Sequence, residues 1–324
     1  MLPRTSASVL AIVRLTISSA ALALCQGPAY SQNYFPANCC HTWTGHVFYV
    51  SELGSHVHEL YYNGAWSDND LTAITNGPPA YKDITSFFDG SREHVFYKSK
   101  GDDHVRELYY NGAWWGNDLT AATNGPPVNN GITSLFDGSL EHVFYVSSLD
   151  FHVHELYYNG AWWGNDLTAA TNGPQALGDL TSSFDGSLEH VFYVSYPDYH
   201  MRELHYTGNW WGNDLTAATN GPPPWGAITS SFDGSIEHVF YVSYPDNHVR
   251  ELYYNGGWWG NDLTAATNAP PASPPTSSFG VFYVGVYDRH VHELYYNGKW
   301  WDNDLMAATN GPYALQELTS FIAY

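Results

Sequence analysis

Cysteine and basic residues are both scarce in this chain of 324 residues. It contains three cysteines, so no disulfide framework can hold the fold together, and no cysteine spacing indicates a zinc site. The pairing of the adjacent Cys39 and Cys40 stays open. Lysine and arginine total 11 against 32 acidic residues, which gives a formal net charge of −21. Nucleic acid and anionic membranes require a basic patch, so this composition disfavours both as partners.

Long apolar segments are also lacking, apart from one near the N-terminus. Two arginines flank the start of an apolar run over residues 15–25, and a small residue at Ser31 suits signal peptidase. We predict a secretory signal peptide over residues 1–31, a lead-in over residues 32–45, and a secreted mature protein, extracellular or periplasmic. The run is too short for a comfortable membrane span. A lipoprotein signal at Cys25 is the weaker alternative, because the leucine before it is not small.

Sustained helical periodicity is absent, and a 48-residue repeat fills the chain instead. Each unit carries EHVFYVS, then HVHELYYNGAWWGNDLTAATNGPP, then ITSSFDGS, with small variations. A glutamate marks the six copies, spaced by 48 residues and, before the last, by 42: Glu59, Glu107, Glu155, Glu203, Glu251 and Glu293. A fixed period of this length is typical of solenoids, propellers and arrays. Repeated copies imply repeated sites, which favours binding over catalysis.

Four short strands are predicted in each unit, rich in Val, Tyr, Phe, Thr and Trp and bounded by turn residues. In one unit they cover residues 180–185, 190–195, 200–206 and 210–217. The LTAATN segment has some helix propensity but is only six residues long. The predicted fold class is therefore all-β, and six copies of four strands indicate a six-bladed β-propeller.

The propeller is predicted to occupy residues 46–324 and to close by sharing one blade between the two ends of the chain. Leu318–Tyr324 copies the ITSxF strand, but no further blade follows it. We therefore expect this segment to complete the blade that His46–Val50 begins. The repeats are placed near residues 46–93, 94–141, 142–189, 190–237, 238–281 and 282–324.

Side chains alternate between the two faces of each strand, and both faces of a propeller blade pack against neighbours. Glu155 is therefore expected to point into one crevice between blades and Tyr158 into the next. Each repeated glutamate would then meet a tyrosine and tryptophans from the neighbouring blade. A carboxylate that accepts two hydroxyl hydrogen bonds, beside a ring that covers sugar C–H groups, is carbohydrate-binding chemistry. Two alternatives stay open: the rings can be core packing, and the glutamate can pair with the arginine or histidine one residue before it.

Other repeated polar residues have plainer interpretations. The aspartate of each NDLT segment is expected to form a turn or a cap. The His-Val-His segments place two imidazoles on one face of a strand, which suits a metal, but half of the copies carry arginine at the second position. That replacement argues against a metal, so the sequence predicts neither a metal site nor a cofactor.

The phrase Glu-x-x-Tyr-Asn-Gly-x-x-Trp resembles the fucose-binding lectins of fungi and bacteria, the Aleuria-type family, and the resemblance spans His46 to the end of the chain. It implies a six-bladed propeller that binds glycans or glycoconjugates between its blades. The repeated glutamates match the family's ligand glutamate. The ring that follows it is matched by Tyr62, Tyr110, Tyr158, Tyr206, Tyr254 and Tyr296. The second ring is matched by Trp115, Trp163, Trp211, Trp259 and Trp301, while the first copy has Ser67.

One position departs from that family. Where the family has its ligand arginine, this sequence has phenylalanine, at Phe48, Phe96, Phe144, Phe192, Phe240 and Phe282. The resemblance therefore predicts a lectin and leaves its monosaccharide, fucose included, open.

We predict a multivalent carbohydrate-binding protein without catalytic activity. Glycosidases need one unequal pair of carboxylates, and near-identical blades offer no copy that stands out. The alternatives are a propeller glycoside hydrolase or sialidase-like enzyme, and a protein-interaction propeller, although the WD and kelch signatures are lacking. The oligomeric state stays open.

Overall fold

A computed structural model describes residues 45–309, apart from 52, 64, 274–275 and 278–280. The predicted signal peptide, the lead-in up to residue 44, Cys39 and Cys40 and the predicted closing segment Leu318–Tyr324 lie outside the described residues.

Strands of this chain form six antiparallel sheets, each made from consecutive strands. The first sheet has three described strands: β1 (Gly45–Val50), β2 (Val57–Tyr62) and β3 (Trp66–Asp70). The second is β4 (Ala80–Phe88), β5 (Glu93–Ser99), β6 (Val105–Tyr110) and β7 (Trp114–Asp118). The third is β8 (Val128–Phe136), β9 (Glu141–Ser147), β10 (Val153–Tyr158) and β11 (Trp162–Asp166).

The other three sheets repeat this pattern. The fourth is β12 (Gln175–Phe184), β13 (Glu189–Tyr196), β14 (Met201–Tyr206) and β15 (Trp210–Asp214). The fifth is β16 (Pro224–Phe232), β17 (Glu237–Ser243), β18 (Val249–Tyr254) and β19 (Trp258–Asp262). The sixth is β20 (Thr276–Ser277), β21 (Val281–Val284), β22 (Val291–Tyr296) and β23 (Trp300–Asp304).

A five-residue helix follows the last strand of every sheet, where the sequence predicted continued strand. The helices are α1 (Leu71–Thr75), α2 (Leu119–Thr123), α3 (Leu167–Thr171), α4 (Leu215–Thr219), α5 (Leu263–Thr267) and α6 (Leu305–Thr309). Asp214 ends β15 and its side chain accepts the Ala217 N–H as the N-cap of α4, while Asn220 closes the helix at φ 51°. The cap expected for the NDLT aspartate is confirmed. The helix escaped prediction because burial of Leu215, rather than propensity, stabilises so short a segment.

Neighbouring sheets pack face to face, and this packing forms the core. On one face of the third sheet, Phe144 and Val153 pack against Tyr193 and Leu204 from the facing side of the fourth sheet. Equivalent apolar clusters lie between the first and second, second and third, fourth and fifth, and fifth and sixth sheets. Each sheet is therefore one blade of a six-bladed β-propeller, as the repeat predicted.

From the second blade to the fifth, the first strand of each blade lies beside the first strand of the next. Hydroxyl pairs join these strands at 2.9 Å between oxygens, in the pairs Thr85 with Ser134, Thr133 with Ser182 and Thr181 with Ser230. The ITS motif therefore supplies a polar seam at the inner edge of consecutive blades. Among the described residues, no helix is both long and apolar enough to cross a membrane.

Closure of the ring remains a prediction. The first blade has three described strands where the second to fifth have four, and β1 has no described partner on its inner side. If residues 318–324 supply that strand, deleting residues 316–324 removes one sheet edge pairing and exposes β1. We expect the truncated protein to aggregate or to melt at a lower temperature in differential scanning calorimetry. A truncated protein that stays monomeric with an unchanged melting temperature would refute this closure.

Candidate functional site

The repeated glutamate is buried in the first five blades, on the face that packs against the next blade, and it already has partners there. Glu155 is 3% exposed, its Oε1 lies 2.8 Å from His142 Nδ1, and its Oε2 accepts a 2.8 Å hydrogen bond from Asn165. The same histidine–glutamate–asparagine arrangement recurs at Glu59, Glu107, Glu203 and Glu251. Because both oxygens are held from the same blade, the carboxylate is fixed in position.

The partner of this glutamate differs from the one that the sequence suggested. The alternative partner, the arginine or histidine one residue earlier, lies on the opposite face of the strand. Arg106 contacts Asp118 at 2.8 Å, for example, rather than Glu107. That alternative was wrong, because strand alternation separates adjacent side chains. In the sixth blade the sequence has Gly280 at the histidine's position, and Glu293 accepts a hydrogen bond from Asn303 at 3.2 Å.

A second glutamate reaches the same histidine from the next blade. His142 Nδ1 lies 3.3 Å from Glu189 Oε2, and His94 Nδ1 lies 3.3 Å from Glu141 Oε2. Each of these imidazoles therefore touches carboxylates from two blades. In the next crevice, Glu237 accepts a 2.6 Å hydrogen bond from Ser183 of the preceding blade.

Burial and proximity shift the pKa values of this network. Burial raises the pKa values of the three glutamates Glu141, Glu189 and Glu237 to about 7. Burial lowers the pKa of His142, but the Glu155 hydrogen bond and the Glu189 charge outweigh it, and the pKa is raised overall. The crevice therefore holds protons at a pH where exposed glutamates are ionised.

Tryptophan from the next blade covers the glutamate, and it is the first tryptophan of each WW pair. Trp210 packs edge-on against Phe144 with ring centres 5.9 Å apart, and Phe144 lies opposite Glu155 in the strand register. In the next crevice the Trp258 indole donates to Glu203 Oε2 at 3.1 Å. Sequence analysis missed this set, Trp114, Trp162, Trp210, Trp258 and Trp300. The signal was available, since the first copy keeps Trp66 while its second position is Ser67.

The predicted rings divide between the two walls of each crevice. Tyr206 and Trp210 both belong to the blade that follows the one carrying Glu155, and their ring centres lie 5.4 Å apart. This tyrosine therefore faces the Glu155 crevice, as predicted. Trp163 instead stands on the same face of the same blade as Glu155, because its register partner is Tyr157. The expectation that the neighbour supplies this tryptophan was wrong.

Both sets of rings are accessible at the mouths of the crevices. Trp163 is 54% exposed and Tyr206 is 38% exposed. Similar exposure recurs at Tyr62, Tyr110, Tyr254, Tyr296, Trp115, Trp211, Trp259 and Trp301, and Tyr158 is half-buried. Large exposed rings at the same place in successive blades form a repeated aromatic surface above the buried carboxylates.

The position of the lectin family's arginine is part of the apolar core here. Phe96, Phe144 and Phe192 are fully buried, and each packs edge-on against the first tryptophan of the next blade. The described crevices therefore have an apolar contact where an arginine would place a cation.

A separate polar cluster lies on the face of the third blade opposite to Glu155, where β10 begins and β11 ends. Asp150, His152, His154 and Asp166 place one nitrogen or oxygen each within 4.8 Å of one another. The equivalent cluster of the second blade, Asp102, His104 and Asp118, has an arginine in place of the second histidine. Donor atoms of this kind and spacing can hold a metal ion.

Comparison with known proteins finds similar solved structures but no related sequence. No protein-family model matches the sequence, and no curated protein matches it at a significant level. Among solved structures, the chain is similar to the SapL1 lectin in complex with alpha methyl fucoside, with TM-score 0.49, 16% identity, and 81% of this chain and 92% of that chain covered. It is also similar to the fucose-specific lectin from Aleuria aurantia, with TM-score 0.48, 16% identity and coverage of 80% and 90%.

Similar structures also include an enzyme, one of two prolyl endopeptidases, with TM-score 0.50, 11% identity, and 78% of this chain and 38% of that chain covered. At 11% identity this last likeness concerns the fold alone, and one fold carries different functions in different proteins.

The buried carboxyl groups predict that stability falls as pH rises. Glu189 has a pKa raised from 4.5 to about 7, so between these pH values the folded state binds more protons than the unfolded chain. His142 acts in the same direction above pH 6.5 because its pKa is also raised. Stability therefore decreases with rising pH in this range. We expect the melting temperature to drop from pH 5 to pH 8, with a smaller drop in Glu189→Gln; a rise over this range contradicts the assignment.

Proposed function

We propose that this protein is a multivalent, non-catalytic carbohydrate-binding protein whose sites lie in the crevices between blades. The observation that carries the proposal is the recurrence of an exposed tryptophan and an exposed tyrosine on opposite walls of one crevice, above a fixed carboxylate. Such rings cover the apolar C–H face of a pyranose, and polar groups at their edge bind its hydroxyls. The same constellation repeats around the propeller, which gives several similar weak sites.

The glutamate has acceptor capacity beyond its internal bonds. A carboxylate offers about four lone-pair sites, and the histidine and asparagine of the same blade occupy two of them at Glu155. The remaining capacity suits a sugar hydroxyl, and charge makes such a bond stronger than a neutral one. Since Glu155 is 3% exposed, a sugar hydroxyl that binds it must enter the crevice between the two aromatic walls.

The ligands that we propose are glycans or glycoconjugates, and the motif resemblance makes fucosylated glycans the first to test. Phe144 fills the position of the family's arginine, so recognition here rests on stacking and on the carboxylate. The first blade has Ser67 in place of the exposed tryptophan, so we expect about five sites that keep this ring.

A glycoside hydrolase is the second candidate, and one crevice favours it. Burial raises the pKa of Glu237 to about 7. Burial also raises the pKa of Glu203 across the crevice, but hydrogen bonds from His190 and Asn213 outweigh it and hold that pKa below its usual value. Two carboxyl groups with separated pKa values are what glycosidases require. We favour binding because a glutamate of raised pKa recurs in three consecutive blades, the third, fourth and fifth, at Glu141, Glu189 and Glu237. No one of these crevices is therefore distinguished as catalytic by its raised pKa.

Removing the exposed tryptophans should weaken glycan binding. Each Trp→Ala change at positions 115, 163, 211, 259 and 301 removes a stacking ring worth about 0.5–1.5 kcal/mol, or roughly 2- to 12-fold per site. We expect the combined variant to lose its signal on a glycan array, because avidity multiplies the loss. The matched control is Trp225→Ala, since Trp225 is 61% exposed and contacts Tyr244 outside the repeated surface. Retained binding by a folded combined variant refutes the sites; release of aryl glycosides by the wild type supports the hydrolase instead.

Replacing the glutamates tests their role in binding. Glu155→Gln keeps the shape but weakens a charged acceptor to a neutral one, which should cost about 1–2 kcal/mol of binding free energy at that site. Isothermal titration should show at most one site lost in the single variant. Melting temperatures measured in parallel separate the two roles: six Glu→Gln changes that lower stability and leave glycan affinity intact would make the glutamates purely structural.

A further inference from the structure

We propose that the third and sixth blades each bind one divalent transition-metal ion, with Zn²⁺ the best fit to the donors. The sites are the cluster of Asp150, His152, His154 and Asp166 in the third blade and the corresponding residues of the sixth. In the sixth blade His290 Nδ1 lies 2.7 Å from Asp304 Oδ2, and His292 Nε2 lies 3.1 Å from Asp288 Oδ2. Both clusters lie on the blade face opposite the repeated glutamate, outside the crevice residues assigned to sugar.

In the third blade the four donors converge at tetrahedral scale. Asp166 Oδ2 lies 2.8 Å from His152 Nδ1, and Asp150 Oδ2 lies 3.3 Å from His154 Nε2. A third contact, His152 Nδ1 to Asp150 Oδ2, is 3.9 Å, and all four donor atoms lie within 4.8 Å of one another. A tetrahedral zinc ion with ligands at about 2.0–2.2 Å separates its donor atoms by about 3.4 Å. The observed spacings bracket that value, so small side-chain adjustments suffice.

The surroundings fix the donors in place. Asp166 is the N-cap of α3, and its Oδ1 accepts the Ala169 N–H, which leaves Oδ2 facing the histidines. His154 is 8% exposed and stacks on Tyr145 at 5.6 Å. Asp150 and His152 are partly exposed, so the cluster has an entry path from solvent. A preorganised donor set with solvent access is what metal uptake requires.

Other blades of the same chain show that this position takes a cation. In the second blade Arg106 bridges the equivalent aspartates, with Nη2 2.5 Å from Asp102 and Nη1 2.8 Å from Asp118. Arg202 and Arg250 bridge the aspartate pairs of the fourth and fifth blades in the same way. Where histidine replaces arginine, the two carboxylates keep their places, and an imidazole supplies a donor instead of a positive charge. A divalent ion restores the charge that the guanidinium provides.

The sixth blade adds a carboxylate that orients its second histidine. His292 Nε2 lies 3.1 Å from Asp288 Oδ2 in the cluster, and His292 Nδ1 lies 3.0 Å from Asp302 Oδ1 behind it. Metal-bound histidines commonly donate their other ring N–H to a carboxylate, which fixes the tautomer. The three arginine blades have glycine at this position, Gly116, Gly212 and Gly260, and so does the third blade, with Gly164. The orienting carboxylate is therefore present in the first and sixth blades and absent from the third.

The first blade has a partial version of the cluster. His56, His58 and Asp70 come together, and His58 contacts Asp68, but the sequence has Gly54 where the third blade has Asp150. With three donors it is expected to bind metal more weakly than the four-donor clusters. The sequence argument against a metal treated all copies as equivalent. In the arginine copies, however, the guanidinium itself is the cation between the two aspartates.

The chain itself provides the variants for a test. His154→Arg and His292→Arg reproduce the arginine blades, so they should fold and fill the clusters with guanidinium. Untagged full-length protein is stripped with chelator and titrated with Zn²⁺ by calorimetry, with bound metal counted by mass spectrometry. We expect each single variant to bind one equivalent fewer than the wild type, and the double variant two fewer. Zinc should raise the melting temperature of the wild type more than that of the double variant.

A second arm tests the orienting carboxylate. Asp302→Gly, which copies the arginine blades, should weaken zinc affinity at one site by about 10- to 100-fold and leave the other unchanged. Equal stoichiometry in the wild type and the double variant would overturn the proposal. So would the absence of zinc binding by the wild type at millimolar concentration.

Discussion

Contact between the faces of neighbouring blades is the constraint on which this structure depends. A single repeat has two apolar faces and cannot bury either of them alone. Phe144 is fully buried only because Trp210 of the next blade stands edge-on against it, and the same phenylalanine–tryptophan contact recurs from the first blade to the sixth. Because each blade covers the next, the described blades are joined by a series of equivalent seams rather than by one central core.

The polar groups of each seam follow from this packing. A glutamate carried into the seam loses its water, so it must be held by hydrogen bonds. His142 and Asn165 hold Glu155, and Glu189 joins the same imidazole from the adjacent blade. The network fixes the register between blades, and its burial is what raises the pKa of Glu189 to about 7. The structural role and the proposed binding role therefore meet at one carboxylate, with the exposed rings as the accessible part of the proposed site.

Repetition also lets one scaffold carry different chemistry on its two faces. The face that carries the glutamate changes little between blades, so the proposed sugar sites are alike. Near the start of the same strand, the opposite face carries either an arginine such as Arg106, which joins two aspartates directly, or a histidine such as His154, which leaves two carboxylates and two imidazoles together. A single substitution on a constant backbone is enough to exchange an internal guanidinium for the proposed metal site, because strand register keeps the aspartates in place.

The sequence by itself determined the all-β class, the six blades, the strand alternation that sends Glu155 and Tyr158 into different crevices, and the capping aspartates. These follow from local rules, namely a fixed period, two-residue alternation and turn chemistry. Only the tertiary structure decided that His142 is the partner of Glu155, that Trp210 rather than Trp163 comes from the neighbouring blade, and that helix α4 forms after Asp214. Those features depend on which side chains meet across strands and blades, and on the burial that this meeting creates, which no window of neighbouring residues contains.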